Sequence, residues 1–132
     1  MKGFVDASVM VAILGREPDW SEQADKLDTC DTLLWSPLAQ WESIAGLRLR
    51  LRTTATDTAA IVRAFAAENR FGMVSIGAGE ADLAVEAYQR YGKGTGHAAQ
   101  LNMGDCFAYA CAKTNGARLL YKGEDFSLTD LA

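Results

Sequence analysis

Gly104-Asp105-Cys106-Phe107-Ala108-Tyr109-Ala110, followed by Ala117-Arg118-Leu119-Leu120-Tyr121-Lys122-Gly123-Glu124-Asp125-Phe126, decides how this chain folds. From Asp105 to Ala112 the first stretch is apolar nearly all round, which predicts a helix buried on every side and ended by Asn115-Gly116. Ala117 to Tyr121 then reads as a short apolar strand, and Gly123 to Phe126 as the loop after it. An aspartate opening a buried helix, and another just past a strand, are costly unless something cationic faces them. Asp6 poses the same problem where it closes the first apolar run, Gly3-Phe4-Val5.

The remaining elements alternate. Ser8 to Leu14 is predicted to be helical, with Ser8 a candidate cap and Gly15 the stop. Trp20 to Leu27 reads as an amphipathic helix after the Glu17-Pro18-Asp19 turn, and Leu33-Leu34-Trp35 as a second strand. Ser36-Pro37 pairs a capping hydroxyl with proline at the first helical position. Leu38, Trp41, Ile44, Leu47 and Leu51 then recur at helical spacing. Asp57 to Glu68 and Glu80 to Arg90 are two more helices, while Met73-Val74-Ser75-Ile76 is too short to assign. Gly92-Lys93-Gly94-Thr95-Gly96 lacks the spacing of a phosphate-binding loop and reads as a plain connection. Strands separated by helices argue for an α/β architecture with a parallel sheet, in one domain spanning residues 1–132.

In such a sheet, helix N-termini lie at the same edge as strand C-termini, where ligands bind. Asp6, Asp105 and Asp125 therefore land on one edge. Glu42 is the fourth acid, because Leu38, Ala39 and Ala45 around it make its helical face largely apolar. Four crowded carboxylates repel one another, and burial worsens the repulsion. A hard divalent cation relieves both, and all-oxygen ligation suits Mg²⁺ or Mn²⁺ rather than zinc. With His97 the only histidine, a histidine-based zinc centre or triad is disfavoured. Carboxylate-held metal without a serine–histidine pair points to phosphoryl-transfer chemistry on a phosphodiester. A phosphatase with an aspartate nucleophile is disfavoured, because Asp6-Ala7-Ser8 lacks the second aspartate of a D-x-D pattern.

Bulk properties restrict less. The net charge of −4 argues at first against a nucleic-acid partner. Setting aside four metal-neutralised acids leaves 13 acidic against 13 basic residues, so local arginines can still bind RNA. Arg48, Arg50 and Arg52 are candidates, with Arg48 and Arg52 on one helical face. Cys30, Cys106 and Cys111 make no disulfide framework and read as small buried side chains in a reducing compartment. No apolar run is long enough for a signal peptide or membrane span, so a cytoplasmic protein is expected.

These residues resemble the PIN-domain ribonucleases, specifically the VapC toxins of bacterial toxin–antitoxin pairs. The resemblance rests on Val5-Asp6-Ala7-Ser8, on Ser36 to Glu42, on Leu101 to Ala110 and on Leu120 to Phe126, and it covers nearly the whole chain. It implies a PIN-type three-layer α/β/α sandwich with a short parallel sheet, and a Mg²⁺-dependent endoribonuclease. Asp6 and Asp105 match the principal metal ligands, Glu42 and Asp125 the other two acids, and Ser8 a supporting hydroxyl. A homodimer, an RNA substrate and a small VapB-like antitoxin covering the site are also implied. Glu124 departs from the family, which often carries asparagine there. Lys122 could offset that charge or contact a phosphate, and is equally consistent with an ordinary surface lysine. Exposed aromatics such as Trp20 or Trp41 could serve the antitoxin, although core packing is the expectation for both. A catalytically silent PIN-fold binding module is the alternative, with no residue among the four acids missing to support it.

Overall fold

The computed structural model describes residues 1–132. In chain order the elements are β1 (Lys2–Val5), α1 (Ala7–Leu14), α2 (Trp20–Leu27), β2 (Thr32–Trp35), α3 (Pro37–Leu51), α4 (Ala55–Glu68), β3 (Gly72–Met73), α5 (Ala78–Tyr91), α6 (Met103–Thr114) and β4 (Arg118–Leu120). The sheet order is β3-β2-β1-β4, and every pairing is parallel. Parallel strands need helical crossovers that cover both faces, so β1 reads as an uninterrupted apolar run rather than an alternation. Phe4 and Val5 are fully buried accordingly. The result is the α/β/α arrangement expected from the sequence. No helix is long and apolar enough to cross a membrane.

The core runs from Phe4, Val9 and Met10 to Leu47, Val62, Tyr109 and Phe126. Helix α6 is the buried helix, with its residues from Gly104 to Ala112 all buried except Phe107, which is half-buried. Its end is sharp: Gly116 takes φ +58°, the left-handed turn that glycine makes without strain. Tyr109 also anchors the C-terminal segment, its hydroxyl donating to Asp130 Oδ1 at 2.7 Å.

Several boundaries differ from the sequence expectation for local reasons. Asp6, not Ser8, caps α1: its Oδ2 accepts from the Ser8 N–H at 3.0 Å, so the helix starts one residue earlier. Helix α4 begins at Ala55 because Thr54 caps it, accepting from the Asp57 N–H at 3.1 Å. The unassigned stretch contributes the two-residue strand β3 one residue upstream, pairing Gly72 with Leu34. Ser36 caps α3 as expected, accepting from the Ala39 N–H at 3.1 Å. The buried face of α3, however, is Ala39, Ser43 and Leu47. Trp41 projects outward at 66 % exposure, and Trp20 is also exposed, so neither is a core residue. Cys106 and Cys111 are buried free thiols, while Cys30 is only half-buried.

Candidate active site

β1 and β4 lie side by side, and the Asp6 N–H extends their ladder by donating to the Leu120 carbonyl at 3.0 Å. This bond sets the first residue beyond β1 next to the loop leaving β4. Asp6, Glu42, Asp105 and Asp125 then line a single cavity of about 460 Å³, together with Ser8, Glu17, Asn102 and Lys122. Asp6 and Asp105 are each 8 % exposed, Glu42 is half-buried and Asp125 stands at the exposed rim. All four acids singled out from the sequence are brought together. So is Ser8, whose hydroxyl donates to Asp6 Oδ2 at 2.5 Å.

Asp105 is the third residue of α6 rather than the first. Asn102 caps the helix: its Oδ1 accepts from the Asp105 N–H at 2.9 Å, and Asp105 Oδ2 accepts from the Asn102 N–H at 3.1 Å. This reciprocal box fixes the carboxylate at a helix N-terminus, where the backbone dipole favours negative charge. Asn102 lies inside the Leu101–Ala110 stretch, and the N-x-x-D spacing before an apolar run is the sequence signal of its capping role.

Glu42 meets α6 at Gly104, where a Cβ would run into the Glu42 carboxylate. Glycine at 104 is therefore required by close approach, not by backbone conformation. Gly104→Ala is expected to push the Glu42 side chain aside and lower catalysis about tenfold or more, through a residue that touches no substrate. Cleavage assays and melting curves check this, with a small change in stability expected.

The electrostatics follow from burial and crowding. Burial raises the Asp6 carboxyl above its usual range, with Asp125 adding to the effect and the two Ser8 hydrogen bonds opposing it. Glu42 is pushed up to about 7 by burial, then by the charges of Asp6 and Asp105. Asp105 rises to about 6 through burial, with Asp6 and Asp125 contributing, while the Asn102 N–H and Lys93 pull it back. Acids whose folded-state pKa lies above the unfolded value stabilise the fold below pH about 4 and lose that contribution as pH rises through 6 and 7. Metal-free protein is thus expected to melt at a higher temperature at pH 5 than at pH 8 in chelator. A melting temperature that climbs between those values would contradict it.

The donor set fits a hard divalent cation: it is all oxygen, drawn into one cavity and short of positive charge. It is an open arrangement rather than a closed chelate. No group of three His, Cys, Asp or Glu side chains is gathered tightly enough to hold an ion as it stands.

Two expectations about flanking residues change. Lys122 neither offsets Glu124 nor points free: its Nζ donates to Glu17 Oε1 at 2.6 Å and Asp19 Oδ1 at 2.9 Å. Arg50 is likewise paired with Glu17, so it stands against the acidic turn rather than free like Arg48 and Arg52. Glu17 itself carried no local signal, since only the fold brings a turn residue against a helix end and a distant loop. His97 takes no part in the acidic cavity: its Nδ1 accepts from the Ala99 N–H at 3.0 Å, and its ring packs edge-on against Tyr91 with centroids 5.0 Å apart.

An all-parallel sheet with an acid-lined cavity at the carboxyl edge of its strands is the architecture of an α/β enzyme that works at its loops. Residues 3–131 match the PIN domain family. A VapC ribonuclease of Rhizobium meliloti is 44 % identical, the alignment covering 97 % of this chain and 98 % of that protein. A ribonuclease VapC of Mycolicibacterium smegmatis is 38 % identical, covering 97 % and 96 %. Ribonuclease VapC30 of Mycobacterium tuberculosis is 35 % identical, covering 97 % and 95 %. The crystal structure of VapC20 of Mycobacterium tuberculosis, a sarcin–ricin loop cleaving toxin, superposes with a TM-score of 0.68. It covers 95 % of this chain and 92 % of VapC20 at 18 % identity, a likeness of fold. The chain belongs to the PIN-domain family, among the VapC ribonucleases.

Proposed function

We propose that this protein is a Mg²⁺-dependent endoribonuclease acting as the toxin of a type II toxin–antitoxin pair, with Mn²⁺ able to replace Mg²⁺. The observation that carries the reading is the convergence of Asp6, Glu42, Asp105 and Asp125 on one cavity at the sheet's carboxyl edge. Asp6 and Asp105 would be the principal ligands, with Glu42 and Asp125 completing the set. When bound, the cation supplies Lewis-acid stabilisation of developing phosphodiester charge and activates water for attack.

The chain's own residues do the rest. Ser8 donates to Asp6 Oδ2 through both its main-chain N–H and its hydroxyl, which fixes the orientation of that carboxylate. The Asn102 N–H does the same for Asp105 through Oδ2. In the metal-free protein burial and the charges of Asp6 and Asp105 push the Glu42 carboxyl up to about 7, and a divalent cation would relieve that crowding and favour the ionised carboxylate. Arg48 and Arg52, at the C-terminal end of α3, are left to meet RNA phosphates. The exposed apolar side chains Trp41 and Leu49 on the same helix offer a surface to a VapB-like antitoxin, and the active species would be a cytoplasmic homodimer.

The test is incubation of purified protein with structured RNA in Mg²⁺ and in EDTA, alongside expression in a growing culture. Cleavage only with metal, and growth arrest on expression, are expected. Cleavage that persists in EDTA would overturn the mechanism, and a purified protein that binds RNA without ever cutting it would favour the silent binding module.

A further inference from the structure

A second charged cluster stands against the same cavity. Glu17, in the turn between α1 and α2, is 9 % exposed, and each of its carboxylate oxygens has its own cation. Lys122 Nζ donates to Oε1 at 2.6 Å, and the Arg50 guanidinium pairs with Oε2. Lys122 Nζ also reaches Asp19 Oδ1 at 2.9 Å, while the other oxygen of Asp19 accepts from Gln23 Nε2 at 3.0 Å. An acid with both oxygens so occupied adds little to the repulsion among the other four. Nor is it free to serve as a fifth ligand. Its influence passes instead through Lys122.

The main-chain N–H of Lys122 donates to Ser8 Oγ at 3.0 Å, and that hydroxyl spends its single proton on Asp6 Oδ2. Lys122 is thus tethered twice, by its ammonium to the α1–α2 turn and by its backbone to the residue that orients Asp6. Gly123 follows at φ +95°, and Asp125 lies only two residues further on at the rim. A short exposed loop holds its carboxylate in place only if both ends are held: buried Phe126 anchors the downstream end, and Lys122 the root.

We infer that Glu17 is a positioning residue for the acidic cavity: by gripping Lys122 it seats the root of the 121–125 loop on Ser8, and so sets Asp125 at the cavity rim and the orientation of Asp6. The catalytic consequence rests on the proposed metal-dependent function, whereas the tether itself does not.

The experiment compares wild type with Glu17→Gln, Lys122→Met and Lys122→Arg. Amide hydrogen exchange on the metal-free proteins reads the tether, and Mn²⁺ affinity and the KM for RNA read its consequence. In Glu17→Gln and Lys122→Met the Lys122 amide is expected to exchange about tenfold faster or more, with the Phe4 amide of β1 unchanged. Mn²⁺ affinity is expected to fall about tenfold at constant KM, and Lys122→Arg to restore both readouts in part. Wild-type protection of the Lys122 amide in Glu17→Gln would overturn the tether. Lost protection with unchanged Mn²⁺ affinity would overturn the positioning role. If Glu17→Gln fails to fold, the two Lys122 variants decide the same questions. A wild type that neither binds Mn²⁺ nor cleaves RNA would sink the proposed function, while the exchange comparison would still decide the tether.

Discussion

Asp105→Asn and Asp6→Asn are each expected to lower RNA cleavage about a thousandfold or more while leaving the protein folded. Asparagine keeps the shape of aspartate and one acceptor oxygen. Asn at 6 can still cap α1 by accepting from the Ser8 N–H, and Asn at 105 can still accept from the Asn102 N–H. What each substitution removes is one negative charge from a crowded cavity. In chelator that removal relieves repulsion, so the melting temperature should stay level or rise at pH 8. The opposite signs distinguish a functional acid from a structural one, because a structural acid loses stability and activity together. Single-turnover cleavage and thermal melts on the same samples check both parts. Cleavage within tenfold of wild type in either variant would remove that residue from the site.

Phe126→Ala is expected to cost about 3–5 kcal/mol of stability. Phe126 is 1 % exposed and packs its ring edge-on against Tyr121, with centroids 5.1 Å apart. It is the buried anchor of the segment after β4, one residue beyond Asp125. Against a total stability of about 5–15 kcal/mol, the loss would take a large share and lower the melting temperature by roughly 10–20 °C. Activity measured well below the new melting temperature should also fall, because the loop carrying Asp125 loses its downstream anchor. A melting temperature within about two degrees of wild type would show that the segment is not part of the cooperative core.

The fold and the acids could be read from the sequence because their signals are local. Asp6 follows an apolar run, Ser36-Pro37 announces α3, and α6 is apolar nearly all round as far as Ala112. Parallel topology then carries Asp6, Asp105 and Asp125 to one edge without knowledge of any contact. Other features depended on partners distant in the chain. Trp41 matched a helical spacing of apolar residues, but the packing of α3 buries the Ala39–Ser43–Leu47 face instead. The exposed tryptophan is what tertiary context left over. Lys122 and Glu17 lie 105 residues apart, so no window of sequence could pair them. The cap of α1 departs from its residue type for a subtler reason, whereas Ser36 caps α3 as its type predicts. Ser8 is a good cap by type, yet Asp6 wins the position because its backbone is still extended as it leaves β1.

The most direct measurement is titration of the purified, metal-free protein with Mn²⁺, followed by electron paramagnetic resonance and repeated in competing Mg²⁺, for wild type, Asp6→Asn and Asp105→Asn. The expected result is saturable Mn²⁺ binding by wild type, displaced by Mg²⁺ and weakened about tenfold or more by each substitution. No binding by wild type, or binding that both variants retain undiminished, would contradict a cation centre built on Asp6, Glu42, Asp105 and Asp125.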